Sequence, residues 1–366
     1  MKCSKKPGEK KRFLRYFSYI LLLTLIVVTY YLLLSELDGR SLLGALNDAH
    51  LGVLAIGFLF VLGYIFFEGC AVRTLCRSMG VKIGFFAGFR YACVELYFSA
   101  VTPSSTGGQP LMVYYMCREG VPVAASSIAV LINTIAYALT TILFATFSLI
   151  YEWETVFSMG TFYVIAVVLG CFTCVMLIVG CILCLFCERM VLSVCTFFIR
   201  LLCGIRLMRD RAGKEEKLKN LLRELRAGAE HVYRHPRVFV RALGENCMQR
   251  ACYLAVSYCV YRSFGLSGTP ILTVMLLQMV MTIPAYSVPL PGGVGITELM
   301  FLDLYTGVYL LESQLNAAMI LTRGLNHYLC ILLCGVVAIA THFYSARKQK
   351  PTVTACAEAE TERLEV

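Results

Sequence analysis

The sequence predicts an all-α integral membrane protein, and three observations support this fold class. Of its 366 residues, 58% are hydrophobic and 15% are charged, whereas globular domains average about 45–50% and about 25%. The hydrophobic residues, about 212 in number, lie mostly in long runs, and this number is enough for about eight membrane-spanning helices. Gly and Pro interrupt two of the runs. A soluble enzyme and a large extramembrane domain are both excluded.

The predicted architecture is a bundle of six full transmembrane helices and two broken or re-entrant hairpins. Segment 1–15 contains seven Lys and Arg residues against Glu9, which predicts a basic cytoplasmic N-terminus. The polytopic domain is predicted at 16–343, and residues 344–366, rich in Glu, Thr and Ala, predict a disordered cytoplasmic tail. Both termini are therefore expected in the cytoplasm. The predicted full spans are 16–34, 51–71, 123–150, 161–186, 243–264 and 317–343.

The main cytoplasmic loop is predicted at 188–241, where 13 Lys and Arg residues face 6 acidic residues. Its first part, 190–208, resembles a helix lying on anionic lipid headgroups. Its second part has leucines at helical spacing, which indicates an amphipathic helix. Two interpretations remain open for that helix: one face docks on the bundle, or the helix binds a separate partner. The leucines are Leu218, Leu221, Leu222 and Leu225.

The two interrupted segments contain Thr102-Pro-Ser-Ser-Thr-Gly-Gly-Gln-Pro110 and Pro289-Leu-Pro-Gly-Gly-Val-Gly-Ile-Thr-Glu298. Unwound backbone at membrane depth costs several kcal/mol for each unpaired polar group, so it is tolerated where protein or a watery cavity surrounds it. Two such segments of opposite orientation, one in each half, are typical of inverted-repeat transporters. We find no residue-level repeat between the halves, and the inverted repeat stays a hypothesis.

These segments offer the chemistry of an anionic headgroup site. Hydroxyl and amide side chains donate hydrogen bonds, glycines allow a phosphate to approach the backbone, and the following half-helix presents free N–H groups. Thr297 is predicted to cap its helix. The alternative interpretation is that both segments only kink helices and permit close packing. The candidate headgroup-binding residues are Ser104, Ser105, Thr106, Gly107, Gly108, Gln109, Gly292, Gly293, Gly295, Thr297, Glu298 and Arg323.

Further ionisable residues lie in apolar surroundings, where they are costly and are expected to face the bundle interior. Glu95, Glu245 and Arg250 are candidates for proton coupling or for internal ion pairs. We recognise no motif for nucleophilic catalysis, ATP hydrolysis or metal-dependent hydrolysis. The CxxC repeats at 171–187 lie in an uncharged run, so we interpret them as packing residues. We predict no catalytic residue, metal, cofactor or directly bound nucleic acid.

The sequence resembles the transmembrane region of lysylphosphatidylglycerol synthases, the multiple peptide resistance factors, over roughly residues 13–345. The likeness is carried by segment 97–115, by Pro289–Glu298 with Phe301, and by Arg323 with Tyr328. The resemblance implies a bacterial plasma-membrane protein that handles aminoacylated phospholipid. In full-length members a flippase portion moves lysylphosphatidylglycerol outward, and a cytosolic domain makes that lipid from lysyl-tRNA and phosphatidylglycerol.

Three functions remain open at this point. The first is a protein that binds or flips a lysylphosphatidylglycerol-like phospholipid and so contributes to resistance against cationic antimicrobial peptides. The second is a phosphatidylglycerol lysyltransferase, acting alone or with a separate cytosolic synthase. After Phe343 there are 23 residues, too few for an acyltransferase domain, so we expect no catalysis by this chain alone. The third is a non-catalytic membrane scaffold. Anionic phospholipids are expected partners in each case.

Overall fold

The structure is a computed structural model that describes residues 44, 46–102, 107–158, 160–187, 190–193, 196, 212–287 and 295–348. All regular secondary structure in these ranges is helical, so the predicted all-α fold class is confirmed. The predicted basic segment 1–15 and the first span 16–34 lie outside the described residues, as does 349–366.

The helices follow one another with short connections. A 3-10 turn at Ile283–Tyr286 follows α9, and a π-helical segment at Gly324–Leu329 joins α11 to α12. The α-helices are α1 (Leu51–Ser78), α2 (Phe85–Val101), α3 (Gly108–Arg118), α4 (Val123–Tyr151), α5 (Trp153–Ser158), α6 (Thr161–Phe186), α7 (Ala212–Arg234), α8 (Pro236–Ser263), α9 (Ile271–Thr282), α10 (Ile296–Tyr305), α11 (Glu312–Arg323) and α12 (Cys330–Lys348).

Four helical segments are long and apolar enough to cross a membrane. They are α1, α4, α6 and the continuous segment Glu312–Ser345 that contains α11 and most of α12. These four correspond to predicted spans, and α6 has the predicted limits. The last helix continues to Lys348, so the helical chain extends five residues into the segment that the sequence assigned to a disordered tail.

The predicted fifth span corresponds to α8, which is a polar helix held inside the bundle. It begins at Pro236, seven residues before the predicted start, because proline is well suited to the first helical turn. Its 28 residues give a length of about 42 Å, enough to cross the apolar layer. Asn246, Gln249 and Arg250 are at most 1% exposed. Packing along α1 and α4 shields these polar groups from lipid.

The two predicted interruptions separate pairs of short helices. At 11 residues, α3 is about 16 Å long and cannot cross a hydrocarbon layer of about 30 Å. The α9 and α10 helices, with 12 and 10 residues, are equally short. Each pair therefore forms a broken hairpin, as the sequence predicts. The connecting residues 103–106 and 288–294 lie outside the described part of the chain.

The amphipathic helix α7 packs on the bundle. Its residues Leu222, Leu225, Ala229 and Val232 are buried, and they join a hydrophobic cluster with residues of α1 and α4. Of the two interpretations of this helix, docking on the bundle is the one that the structure shows for its apolar face. The charged face points away, and Arg226 on it is 56% exposed.

Candidate functional site

The second broken hairpin carries a charged cluster at the start of α10. Arg323 Nε lies 2.8 Å from Glu298 Oε1, and Arg323 Nη1 donates a hydrogen bond to Thr297 Oγ1. The other carboxylate oxygen, Glu298 Oε2, accepts the backbone N–H of Gly295 at 2.7 Å. Four of the predicted headgroup residues, Gly295, Thr297, Glu298 and Arg323, therefore lie together, although they are up to 28 positions apart in the sequence.

The start of α10 differs from the prediction in one respect. Gly295, not Thr297, is the N-cap, and its φ of 90° is in the left-handed region that favours glycine. Thr297 is therefore the second residue of the helix. Glu298 is the third, where a carboxylate reaches back to the N-cap N–H and stabilises the positive end of the helix dipole.

The π-helical segment that follows Arg323 contributes two further residues, Asn326 and Tyr328, to the surroundings of this cluster. A π turn widens the helix locally and occurs often at functional sites. Asn326 within it donates a hydrogen bond to the backbone carbonyl of Tyr253 on α8 at 3.3 Å. The Arg323 guanidinium lies 5.9 Å from the ring centroid of Tyr328. The cluster thus joins α10, the last long helix and α8.

In the first broken hairpin, residues at the end of α2 contact residues at the start of α3. Thr102 Oγ1 accepts the Gly107 N–H at 2.9 Å and donates to the Phe98 carbonyl at 2.7 Å. The Glu95 carbonyl and the Ser99 hydroxyl occupy the position that a β-carbon on Gly108 would need. In this structure both glycines therefore permit close packing of α3 against α2. The Gly107 N–H already has Thr102 as its hydrogen-bond acceptor. Gln109 is partly exposed in the first turn of α3.

Five predicted headgroup residues cannot be placed. Ser104, Ser105 and Thr106 at the first interruption, and Gly292 and Gly293 at the second, lie outside the described residues. Their assignment stays a prediction.

A buried polar network crosses the bundle interior, and sequence reasoning did not identify it. Asn133 Nδ2 on α4 donates to Glu68 Oε1 on α1 at 2.6 Å. Asn246 Nδ2 on α8 donates to Asn133 Oδ1 at 2.9 Å. All three side chains are at most 5% exposed. The signal that would have found this network is a single Asn in each of two spans.

Arg250 lies in the same interior, surrounded by hydroxyl and aromatic groups. Its Nη2 donates to Thr141 Oγ1 at 2.5 Å and to the Tyr286 hydroxyl at 3.1 Å. Its guanidinium carbon lies 4.6 Å from the ring centroid of Tyr137, whose hydroxyl is 2.9 Å from that of Tyr286. Tyr286 ends the 3-10 turn that precedes the second interruption, so Arg250 connects α8 to that hairpin.

The other two candidate coupling residues occupy different places. Glu95 lies on α2, in the first broken hairpin, and accepts a hydrogen bond from Ser99 at 3.0 Å. Glu245 accepts a hydrogen bond from Thr74 at 2.9 Å and pairs with Arg241 at 3.4 Å near the surface. Within the described residues, Glu245 thus forms a peripheral ion pair, whereas Arg250 is fully buried and Glu95 is partly exposed.

Comparison with known proteins agrees with a multi-pass membrane protein. The chain is similar to a UPF0104 membrane protein of Archaeoglobus fulgidus, with 27% identity over 116 residues, 32% of this chain and 34% of the relative. The similarity thus spans about a third of that protein's length. The family model of the lysylphosphatidylglycerol synthase TM region matches residues 19–334, most of the chain, and this protein therefore belongs to that family.

Proposed function

We propose that this protein binds a phospholipid at its broken hairpins and moves it between the leaflets of a bacterial plasma membrane. The substrate is lysylphosphatidylglycerol or a lipid with a similar headgroup. The observation that carries the proposal is the Glu298–Arg323 pair, 2.8 Å apart beside the start of α10. Moving a cationic lipid outward changes the charge of the outer surface, which contributes to resistance against cationic antimicrobial peptides.

The charges of this pair match those of an aminoacylated lipid headgroup. A guanidinium binds phosphate through a planar set of N–H donors, and a carboxylate binds an ammonium group. The Glu298 side chain is 24% exposed, so it is accessible to a ligand. A headgroup that carries both charges can exchange partners with the protein pair and leave no uncompensated charge at membrane depth.

The test is lipid movement by the purified full chain in liposomes. Fluorescent phosphatidylglycerol and fluorescent lysylphosphatidylglycerol are compared, and a membrane-impermeant quencher measures how much of each remains in the outer leaflet. Arg323→Gln is expected to slow both lipids at least tenfold because both carry the phosphate. Glu298→Gln is expected to slow the lysylated lipid more strongly because only that lipid carries the additional ammonium groups of lysine.

Two exposed residues provide matched controls. Arg77→Gln, at the end of α1, and Glu154→Gln, on α5, remove the same charges outside the cluster and are expected to keep the wild-type rates. Equal movement of both lipids by the wild type and by all four variants would contradict the site. Movement no faster than in protein-free liposomes would contradict the proposed function itself.

The same preparation separates the two alternatives. Transfer of labelled lysine from lysyl-tRNA to phosphatidylglycerol by this chain alone would favour a lysyltransferase. Transfer that requires an added cytosolic synthase would identify that enzyme as a partner. A membrane scaffold would show neither lipid movement nor transfer.

A further inference from the structure

An arginine near the middle of α8 is buried without a carboxylate in contact with it. Arg250 is 1% exposed, and within the part of the chain that the structure describes no carboxylate oxygen lies within 4.0 Å of its guanidinium. Glu68 shares this interior, but its carboxylate accepts the Asn133 amide at 2.6 Å. A buried cation is costly unless an anion compensates it, and ionisable residues inside a membrane bundle mark the paths of substrates and ions.

The Arg250 guanidinium has a donor that the described chain leaves unused. Its side-chain hydrogen bonds, to Thr141 Oγ1 and to the Tyr286 hydroxyl at 3.1 Å, are both made by Nη2. Nε is buried and has no partner among the described residues. A guanidinium presents five N–H donors in one plane, and two of them side by side bind two oxygens of a phosphate. The unused donor therefore has the geometry to bind a phosphate.

Two tyrosine hydroxyls lie beside the same guanidinium. The hydroxyls of Tyr137 and Tyr286 are 2.9 Å apart, and the guanidinium carbon lies 4.6 Å from the Tyr137 ring centroid. Each hydroxyl carries one hydrogen, and the bond between them uses one of the two. The other hydrogen has no acceptor among the described residues. Arg250 and this hydroxyl pair thus offer a cation and a neutral donor to one anion.

Tyrosines connect the buried guanidinium with the accessible surface. The Tyr253 ring centroid lies 6.0 Å from the guanidinium carbon and 5.6 Å from the ring centroid of Tyr64. Tyrosine combines an apolar ring with a polar tip, so these side chains can contact both parts of a lipid. Four tyrosines in this part of the bundle are partly exposed, namely Tyr64, Tyr137, Tyr253 and Tyr286.

The same group of residues connects Arg250 with the charged cluster at the start of α10. Asn326, three residues after Arg323, donates a hydrogen bond to the Tyr253 carbonyl at 3.3 Å. Tyr286, which binds Arg250, ends the 3-10 turn before the second interruption. Arg323 contacts the start of α10, after the interruption. The two arginines therefore hold the second broken hairpin on either side of its interruption.

We propose that Arg250 and the hydroxyls of Tyr137 and Tyr286 form a second phosphate site, inside the bundle, for the phosphate of a phospholipid. The site itself does not depend on transport. Its place on the route of the lipid, which passes its phosphate between Arg323 and Arg250, rests on the proposed function. The site and the route are therefore tested separately.

The site is tested with a photoreactive phosphatidylglycerol that carries a diazirine in its headgroup. The purified full chain is irradiated with this lipid in a sugar-based, phosphate-free detergent, and mass spectrometry maps the labelled residues. Label is expected on Tyr137, Tyr253 or Tyr286 in the wild type. Arg250→Gln is expected to reduce that label at least tenfold. Diacylglycerol with the same diazirine lacks the phosphate and is expected to leave these residues unlabelled.

Arg73→Gln is the matched control, because it removes another buried arginine. Arg73 is 9% exposed, donates to a backbone carbonyl at 3.1 Å and lies over the ring of Phe85 at 3.4 Å. It has no part in the proposed site, so Arg73→Gln is expected to keep the wild-type label. Thermal unfolding shows which variants are folded.

A second variant decides the question if Arg250→Gln does not fold. Combining Tyr137→Phe with Tyr286→Phe keeps both rings and removes both hydroxyls, and it is expected to reduce the label severalfold. Absence of label in the wild type would overturn the site, as would a label that neither Arg250→Gln nor the double variant reduces. Displacement of the lipid by inorganic phosphate at a similar concentration would identify a free anion as the ligand and overturn the lipid assignment.

The route is tested by lipid movement in liposomes with Arg250→Lys. Lysine keeps the positive charge and loses the planar set of donors, so the variant is expected to slow phosphatidylglycerol and lysylphosphatidylglycerol equally, by severalfold. Wild-type rates in Arg250→Lys, together with a reduced label, would overturn the route and leave the site and the proposed function intact. If the wild type moves no lipid, the route and the proposed function both fail, and the photolabelling result still decides the site.

Discussion

Arg323 and Glu298 form an ion pair that is more sheltered than the Arg241–Glu245 pair. Their side chains are 9% and 24% exposed, whereas Arg241, paired with Glu245, is 68% exposed. Exposed pairs contribute about 0–1 kcal/mol to stability. Removal of one member of a fully buried pair costs about 3–5 kcal/mol, because the remaining charge loses its partner. The partial exposure of Glu298 places this pair between the two limits.

We therefore expect Arg323→Gln to lower the free energy of unfolding by about 1–3 kcal/mol. The matched change Arg241→Gln is expected to cost about 0–1 kcal/mol. Unfolding in detergent micelles, followed by circular dichroism, measures both. Adding Glu298→Gln to Arg323→Gln is expected to cost less than the sum of the single changes. Strict additivity would show that the two side chains contribute independently.

Individual charged residues could be found from the sequence more readily than neutral polar ones. Glu298 and Arg323 are conspicuous because a charge in an apolar run is costly unless it is paired. Asn133 is one amide within an apolar span, and its bond to Glu68 joins positions 65 residues apart. The prediction of Thr297 as the N-cap of α10 was wrong. Gly295 takes that position because its φ is positive, and the residue types alone do not determine that backbone geometry.

At the level of elements, a glycine of α6 lies against the second broken hairpin. A β-carbon on Gly170 would lie 2.7 Å from Cγ2 of Ile283, and it would also collide with that residue's carbonyl oxygen. Ile283 begins the 3-10 turn, so α6 approaches the hairpin backbone directly. A β-carbon on Gly180, in the same helix, would meet nothing within 4 Å. Small residues allow this kind of close approach between membrane helices.

Gly170→Ala is therefore expected to displace the 3-10 turn from α6 and to cost about 1–3 kcal/mol, as overpacking does in well-packed interiors. Lipid movement in liposomes is expected to slow with it. Gly180→Ala adds the same methyl group to open space and is expected to be neutral or slightly stabilising, because alanine favours helix. Thermal unfolding and the transport rate are measured for both variants. Equal behaviour of the two would exclude the close contact.

The sequence predicted the elements best where one physical requirement dominates. The limits of α6 were correct because an uncharged apolar run has no alternative to a span. The start of α8 was placed too late because residues 236–242 are polar and their helix depends on the capping proline. The glycines of the first hairpin were expected to receive a phosphate. Their packing against Thr102, Glu95 and Ser99 depends on how the chain folds back.

At the scale of the whole molecule, the described helices differ in how far they are buried within the bundle. The most apolar stretches of α1 and α6 have 28% of their residues buried within the protein, against 61% for α4. Hydropathy reveals all three as spans, whereas α8 carries polar groups inside the bundle. A hydropathy pattern averages over a whole span, so it recovers these helices and leaves out single buried polar residues such as Glu68, Asn133 and Arg250.

The orientation of the whole molecule gives the last prediction. Loop 188–241 has an excess of about seven positive charges, and each Lys or Arg near anionic lipid favours the cytoplasmic side by about 1 kcal/mol. Exposed Arg226 on α7 is therefore expected on the cytoplasmic side. Exposed Arg262 lies near the far end of α8, which is about 42 Å long, and is expected on the outer side.

Trypsin added to sealed inside-out vesicles is expected to cleave at Arg226, and trypsin added to right-side-out vesicles at Arg262. Mass spectrometry of the fragments identifies the sites, and detergent-permeabilised vesicles, in which both sites are accessible, are the control. Cleavage at Arg226 in sealed right-side-out vesicles would reverse the proposed orientation.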